Sequence, residues 1–100
     1  MKLGILVNTD RHADHLAGIV EAATARGHEV IIFVMDEGAR LLEQETFRQF
    51  CRLPIVSTSY CDLNAGQCSV DKGKIPAEIV CGSQYNNAGM FHEADRVIVL

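Results

Sequence analysis

The stretch "IVSTSYCDLNAGQCSV", residues 55–70, places a thiol where it could act as a nucleophile. Cys61 directly follows the β-branched run "IVSTSY" and precedes a short segment that is a helix or a loop. A helix start presents oriented N–H groups and positive potential, and both favour the nucleophilic thiolate. Asp62 opposes this effect with its negative charge. Position alone therefore leaves two interpretations of Cys61 open, a reactive thiol and a buried structural cysteine.

The other three cysteines are weaker candidates. Cys68 follows Cys61 by seven residues, and a helix between them would separate the Cα atoms by roughly 10 Å, beyond the disulfide limit of about 7 Å. Gly66 allows a loop instead, which keeps a resolving role for Cys68 open beside that of a half-buried spectator. Cys81 is expected to approach Cys61 if its segment folds over the site. Cys51 lies on an apolar helical segment and is expected in the core.

Polar side chains near the predicted site give it a candidate lining. A cleft around Cys61 would draw on Tyr60, Asn64, Gln84, Tyr85, Asn86 and Asn87. The run "SQYNN" equally fits a plain helix start. No GxxxxGK[ST], GxGxxG or GxSxG motif is present, so neither a phosphate loop nor a nucleophile elbow is predicted.

A metal site is the competing interpretation of the histidines. His12 and His15 are three residues apart, and with Asp10 and Asp14 they could share one face of a helix. No HExxH or CxxC spacing accompanies them. Histidines on an exposed first turn are usually solvated, so no metal is predicted.

The elements that must position these residues alternate between strand and helix. Strands are predicted for "KLGILVN", "HEVIIFVM", "IVSTSY" and "RVIVL", while "AEIVC" fits a strand or a loop. Helices are predicted from Arg11 to Arg26, capped by Thr9 or Asp10 and ended by Gly27, and over "SQYNNAGMFHEAD", capped by Ser83. The segment "DEGARLLEQETFRQFCR" is predicted as one broken helix or two short ones.

This alternation predicts the α/β class. We expect one domain over residues 1–100, with a mostly parallel sheet of about five strands flanked by helices. Ligands of such sheets lie beyond the carboxyl ends of the strands. The segments "NTD", "MDEG" and "YCD" form that edge here, and Cys61 belongs to it.

The composition of the chain limits the classes of partner that the protein is expected to bind. The chain is 48% hydrophobic and 22% charged, with a net charge of −4. An acidic chain is not expected to bind nucleic acid, whose phosphates need a basic surface. The apolar runs are too short to span a bilayer, and the first residues do not form a secretory signal, so a cytoplasmic location with reduced thiols is expected.

Taken together, these segments resemble the DsrE-like family of sulfur-relay proteins, which includes the TusD-type sulfur carriers. The resemblance spans essentially the whole chain. It rests on "KLGILVN", "ARGHEV", "IIFVMDEGARLL", the third strand leading into Cys61, a glycine turn at Gly73, and the closing "GSQYNNAGMFHEADRVIVL". The segment "DLNAGQCSVDKG" is more polar than the corresponding helix of a relay subunit, and neither Cys68 nor Cys81 belongs to the family pattern.

The resemblance implies a sulfurtransferase-type carrier that assembles as a trimer or hexamer. Cys61 matches the cysteine that accepts sulfane sulfur as a persulfide and passes it on. The implied partners are sulfur donor and acceptor proteins, and no cofactor is needed. Two alternatives remain: a non-catalytic assembly subunit of the same fold, and a small metal- or ligand-binding module using His12, His15 and Cys61.

Overall fold

The apolar, β-branched runs of the sequence form a sheet of five parallel strands. The structure is a computed structural model that describes residues 1–100. The strands are β1 (Lys2–Val7), β2 (Glu29–Val34), β3 (Val56–Cys61), β4 (Ile79–Gly82) and β5 (Arg96–Val99). Their order is β4-β3-β2-β1-β5, and every pairing is parallel. The predicted fold class is confirmed, and "AEIVC", which fitted strand or loop, supplies β4.

Four α-helices and two 3₁₀ segments connect the strands. The helices are α1 (Ala13–Ala25), α2 (Glu45–Cys51), α3 (Asp62–Gln67) and α4 (Gln84–Glu93), and the 3₁₀ segments are Asp36–Glu43 and Lys72–Lys74. None of these helices has the length and apolarity that crossing a membrane requires.

The first helix begins later than the sequence predicts. Its N-cap is His12, which makes no side-chain capping bond, so the expected cap by Thr9 or Asp10 is wrong. The Thr9 hydroxyl instead accepts a hydrogen bond from the backbone N–H of Arg11, within the turn that precedes the helix. The predicted end is confirmed, because Gly27 has φ +77°, a left-handed conformation that suits glycine after a helix.

The two faces of the sheet are covered unequally. One face, called here the multi-helix face, packs against α1, α2, α3 and the 3₁₀ segment Asp36–Glu43 and forms the main core. The other, called here the α4 face, is covered by α4 alone, with Phe33, Cys61 and Met90 as its buried centre. Because side chains alternate along a strand, consecutive residues within β3, and likewise within β4, point to opposite faces of the sheet.

The predicted break in the second helical segment is confirmed and has a steric cause. Gly38 packs against the end of β1 so closely that a Cβ atom there would lie 2.5 Å from the Val7 carbonyl oxygen. The chain therefore crosses β1 as a 3₁₀ segment before α2 begins. Ala39, Leu41 and Leu42 are buried by this crossing.

Candidate functional site

The carboxyl ends of the strands form one edge, where the sequence placed the site. Asn8 follows β1, Asp36 lies two residues after β2, and Cys61 is itself the last residue of β3. This edge carries three of the four cysteines, Cys61, Cys68 and Cys81. All four cysteines are free thiols.

Cys61 lies on the α4 face and is buried rather than exposed. Its exposed fraction is 6%, and it packs with Phe33 of β2 and Met90 of α4. It is also the N-cap of α3, but its side chain makes no capping hydrogen bond. The side-chain alternation of β3 turns Cys61 toward α4, and Met90 covers it. A thiol in this position is held in soft, apolar surroundings.

Gln84 and Tyr85, which the sequence placed around Cys61, belong to the first turn of α4 on the same face. The Gln84 side-chain amide contacts the Met35 sulfur at 3.8 Å, and Met35 packs against the cluster that contains Cys61. Tyr85 is 84% exposed and lines a shallow cavity of about 290 Å³ with Ser59. The structure therefore brings Gln84 close to the Cys61 cluster and leaves Tyr85 at the surface.

The start of α4 is fixed by a capping box. The Ser83 hydroxyl accepts a hydrogen bond from the Tyr85 N–H at 3.2 Å, and the Asn86 side-chain oxygen accepts one from the Ser83 N–H at 3.0 Å. The predicted cap by Ser83 is confirmed. A Cβ atom at Gly82 would overlap the Asn86 side chain, so a larger residue there would displace the oxygen that caps the Ser83 N–H. The cover over Cys61 thus begins at a well-defined residue.

Tyr60 and Cys81 lie on the opposite side of the sheet from Cys61. Tyr60 belongs to the core of the multi-helix face, and Cys81 is its direct partner across β3 and β4. In-register partners of parallel strands point to the same face, so Cys81 points away from Cys61. The expectation that Cys81 folds over Cys61 is therefore wrong.

Cys81 has polar neighbours of its own. Its thiol lies beside Tyr60, its register partner, and after burial it is the next cause that raises the pKa of Tyr60. Lys72 forms an ion pair with Asp62 at 2.5 Å. The Lys72 hydrogen bond, followed by that from Cys81, lowers the pKa of Asp62, and the Asp62 carboxylate raises the pKa of Lys72.

Asn64 and Cys68 line a separate polar cavity on the multi-helix side of the edge. This cavity has a volume of about 440 Å³ and is lined by Asn8, Asp36, Glu37, Asn64, Gln67 and Cys68. The Asn64 side-chain oxygen accepts a hydrogen bond from the Asp36 N–H at 2.9 Å, and the Cys68 thiol donates to the Asp36 carbonyl at 3.4 Å. Asp36 has φ +48°, a left-handed conformation that Asp tolerates better than most residues.

Cys61 and Cys68 are not positioned to pair. The segment between them forms α3, as one of the sequence interpretations required, and the two thiols join packing clusters on opposite faces of the sheet. A resolving role for Cys68 toward Cys61 has no support in this geometry. The expected cleft around Cys61 is thus divided by the sheet into separate environments.

His12 and His15 lie side by side at the surface, with their ring centroids 5.8 Å apart. No group of three or more His, Cys, Asp or Glu side chains is arranged to hold a metal ion. The metal-module alternative therefore gains no further ligand from the fold.

The largest cavity is remote from this edge. It measures about 820 Å³ and lies between α1, α2 and the chain entering β3, with Phe50, Leu53 and Ile55 among its lining residues. None of the residues predicted for the site contributes to it.

Sequence reasoning missed two polar neighbours of Cys81. The sequence indicates Asp62 only as a negative charge beside Cys61 and gives no signal for Lys72. Asp62 is the first residue of α3, directly after β3, and the turn at Lys72–Lys74 returns Lys72 to Asp62. No spacing rule signals a contact formed across such a turn.

Comparisons with known proteins identify the fold. No protein-family model matches the sequence, and a search of curated proteins gives no match. The chain is similar to a protein of unknown function from Methanobacterium thermoautotrophicum, with 10% identity, a TM-score of 0.78, and coverage of 99% of this chain and 98% of that one.

Two further solved structures share the fold. The ychN protein from E. coli has 14% identity and a TM-score of 0.70, with coverage of 99% of this chain and 97% of that chain. A conserved protein of unknown function from Bacteroides thetaiotaomicron has 16% identity and a TM-score of 0.76, with coverage of 99% and 94% respectively. At such identities the similarity establishes the fold alone.

Proposed function

We propose that this protein is a sulfane-sulfur carrier of the DsrE-like type, with Cys61 as the thiol that bears the persulfide. The observation that supports this proposal is the place of Cys61 as the last residue of β3, at the carboxyl edge of an all-parallel sheet. The sequence resemblance puts the reactive cysteine of relay proteins after the third strand.

The transfer chemistry needs one thiol and two partners. The Cys61 thiolate attacks the outer sulfur of a donor persulfide, the donor S–S bond breaks, and the donor leaves as a thiolate. An acceptor thiolate then attacks the outer sulfur now held on Cys61, and Cys61 leaves as a thiolate. Each step is a thiol–persulfide exchange, so neither a cofactor nor a metal ion takes part.

The burial of Cys61 gives this carrier a protective site. Phe33 and Met90 surround the thiol with apolar and polarisable groups, which shield a persulfide from water and from stray thiols. A donor must reach the sulfur past the start of α4, where Gln84 contacts Met35. Loading therefore depends on displacement of the first turn of α4.

The test is incubation with glutathione persulfide, trapping by alkylation, and mass spectrometry of the tryptic peptides, in which fragmentation assigns the added sulfur to one cysteine. We expect wild type to gain the mass of one sulfur atom on Cys61 and to lose it on reduction. Cys61→Ser and Cys61→Ala should both lack this adduct while they keep the far-UV circular dichroism of wild type. Cys51→Ser is the matched control, because Cys51 is equally buried but lies on the multi-helix face.

The absence of sulfur on Cys61 in wild type would contradict the carrier proposal. It would favour the second candidate, a non-catalytic assembly subunit, in which Cys61 is a packing residue. The contact of Cys61 with Phe33 and Met90 is the observation that favours this alternative.

We also propose that the chain forms a homo-oligomer, a trimer or hexamer as the resemblance implies. The α4 face supports this, because one helix covers it incompletely. Large apolar side chains stay exposed on this side, namely Val80, Tyr85, Phe91 and Val99. We expect sedimentation at micromolar concentration to give a multiple of the chain mass, and Phe91→Glu to reduce it. A monomeric wild type would refute the proposal.

A further inference from the structure

A second thiol environment lies on the multi-helix side of β3 and β4. It consists of Tyr60, Asp62, Lys72 and Cys81, and is called here the Cys81 cluster. Cys81 is exposed, and β4 is an edge strand, so a partner can reach the thiol directly. This combination of an accessible thiol with a tyrosine hydroxyl and two charges differs from the apolar surroundings of Cys61.

The Tyr60 hydroxyl lies near the Cys81 thiol. Tyr60 is only 4% exposed, and its register partner across the strands is Cys81. Burial, followed by the neighbouring Cys81, raises the pKa of Tyr60 to about 12. The hydroxyl therefore keeps its proton at neutral pH and can donate a hydrogen bond to an anionic sulfur.

The two charged residues act on an anionic sulfur in opposite directions. The Asp62 carboxylate repels it, and the Lys72 ammonium attracts it. The ion pair between Lys72 and Asp62 keeps both groups beside Cys81. A persulfide ionises more readily than its parent thiol, so a hydroxyl donor and a cation suit it particularly well.

We propose that Cys81 is a second sulfane-sulfur acceptor, in which Tyr60 and Lys72 stabilise the anionic persulfide. The Cys81 thiolate attacks the outer sulfur of a persulfide or polysulfide donor, the donor S–S bond breaks, and the shortened donor leaves as a thiolate or as a polysulfide with one sulfur fewer. A sulfur–sulfur bond forms on Cys81, and no external oxidant or reductant is consumed. The proposal rests on the sulfane-sulfur chemistry proposed above.

The two acceptors face opposite sides of the sheet. Cys81 pairs with Tyr60 and Cys61 pairs with Gly82, so the two side chains point in opposite directions. Direct passage of sulfur between them within one chain is excluded by this arrangement. Cys81 instead exchanges sulfur with donors and acceptors at the open edge of β4.

Sulfur added to Cys61 and sulfur added to Cys81 can be measured separately in one experiment. Trypsin cleavage after Arg52, Lys72, Lys74 and Arg96 gives peptide 53–72, which carries Cys61 and Cys68, and peptide 75–96, which carries Cys81. The protein is treated briefly with inorganic polysulfide, trapped by alkylation and digested, and fragmentation assigns the sulfur. We expect added sulfur on peptide 75–96 in wild type and none there in Cys81→Ser.

Variants of the neighbouring residues distinguish a built site from an exposed thiol. Tyr60→Phe and Lys72→Gln should each slow loading of Cys81 roughly two- to tenfold, the effect of one net hydrogen bond, while Lys72→Arg restores the rate. Lys74→Gln, in the same 3₁₀ turn, is the matched control and should load normally. Half-buried Cys68 is an internal reference, and its loading should not respond to these variants.

Two results would overturn the proposal. One is the absence of added sulfur on peptide 75–96. The other is loading of Cys81 that is the same in wild type, Tyr60→Phe and Lys72→Gln. Sulfur on Cys81 without sulfur on Cys61 would refute the role of Cys61 and leave Cys81 as the acceptor, so the two failures are distinguishable.

Discussion

Gly38→Ala should destabilise the protein by about 2–3 kcal/mol, at the upper end of the cost of overpacking a well-packed interior. The added methyl group would lie 2.5 Å from the Val7 carbonyl oxygen and 3.2 Å from the Val7 Cγ1 atom. That carbonyl also accepts a hydrogen bond from the Met35 N–H, so it cannot move freely. The 3₁₀ segment Asp36–Glu43 would have to lift from β1.

Gly18→Ala is the control for this prediction. Gly18 lies in α1 and has no heavy atom within 4 Å of the position where a Cβ atom would be built. The substitution there should stabilise the helix by about 0.5–1 kcal/mol, because alanine loses less backbone freedom than glycine. Urea unfolding of both variants measures the difference. Equal midpoints for Gly38→Ala and wild type would show that the close approach to β1 is not real.

The displacement of this segment would also reach the candidate site. The Asp36 N–H donates a hydrogen bond to the Asn64 side-chain oxygen, and the Asp36 carbonyl accepts one from the Cys68 thiol. We therefore expect Gly38→Ala to disturb the polar cavity around Cys68 more than the Cys61 contact on the other face. Gly38→Ala should therefore change the environment of Cys68 and leave that of Cys61 nearly unchanged.

The strands and the edge could be predicted from the sequence because their signals are local. The continuous apolar run of β2 indicates a strand covered on both faces, and Ser83 and Gly27 are capping residues whose effects reach only one turn. The register of β4 could not be predicted. It depends on which residue of β3 faces Cys81, and a shift of one residue would have placed Cys81 beside Cys61.

The environment of each candidate thiol was less predictable than its position in the chain. Cys61 lies at the carboxyl edge of the sheet, as predicted, although it is the last residue of β3 rather than the residue after it. Its burial depends on Met90, which is 29 residues away in sequence and belongs to α4. The Cys81 cluster likewise needs Lys72 to return to Asp62 through a turn. Contacts between segments distant in sequence decide whether the surroundings of a thiol are apolar or polar. A hydropathy pattern does not show which distant segments come into contact.

Stability should fall between about pH 9 and pH 11 because of Cys51. Burial raises the pKa of Cys51 from 9.0 to about 11, and the hydrogen bond from Thr58 only partly offsets this. In that interval the unfolded chain has lost the thiol proton and the folded chain retains it. The unfolded state then binds fewer protons, so the free energy of unfolding decreases as the pH rises.

The size of this effect follows from the gap between the two pKa values. A difference of two units corresponds to about 2–3 kcal/mol, present in full below pH 9 and lost by about pH 11. Tyr60 adds a loss in the same direction at higher pH, since burial raises its pKa to about 12. A comparison with a variant that lacks only the Cys51 thiol separates the two contributions.

Cys51→Ser is that variant, because its hydroxyl does not titrate in this range and still gives the Thr58 hydroxyl a partner. Urea unfolding from pH 7 to pH 11 under reducing conditions should show the wild-type advantage shrinking by about 2–3 kcal/mol across the interval. Thr58→Val should steepen the wild-type decline, since it removes the bond that lowers the pKa of Cys51. A constant difference between wild type and Cys51→Ser would mean that the Cys51 thiol reaches solvent, and the packing of α2 against β3 would then need revision.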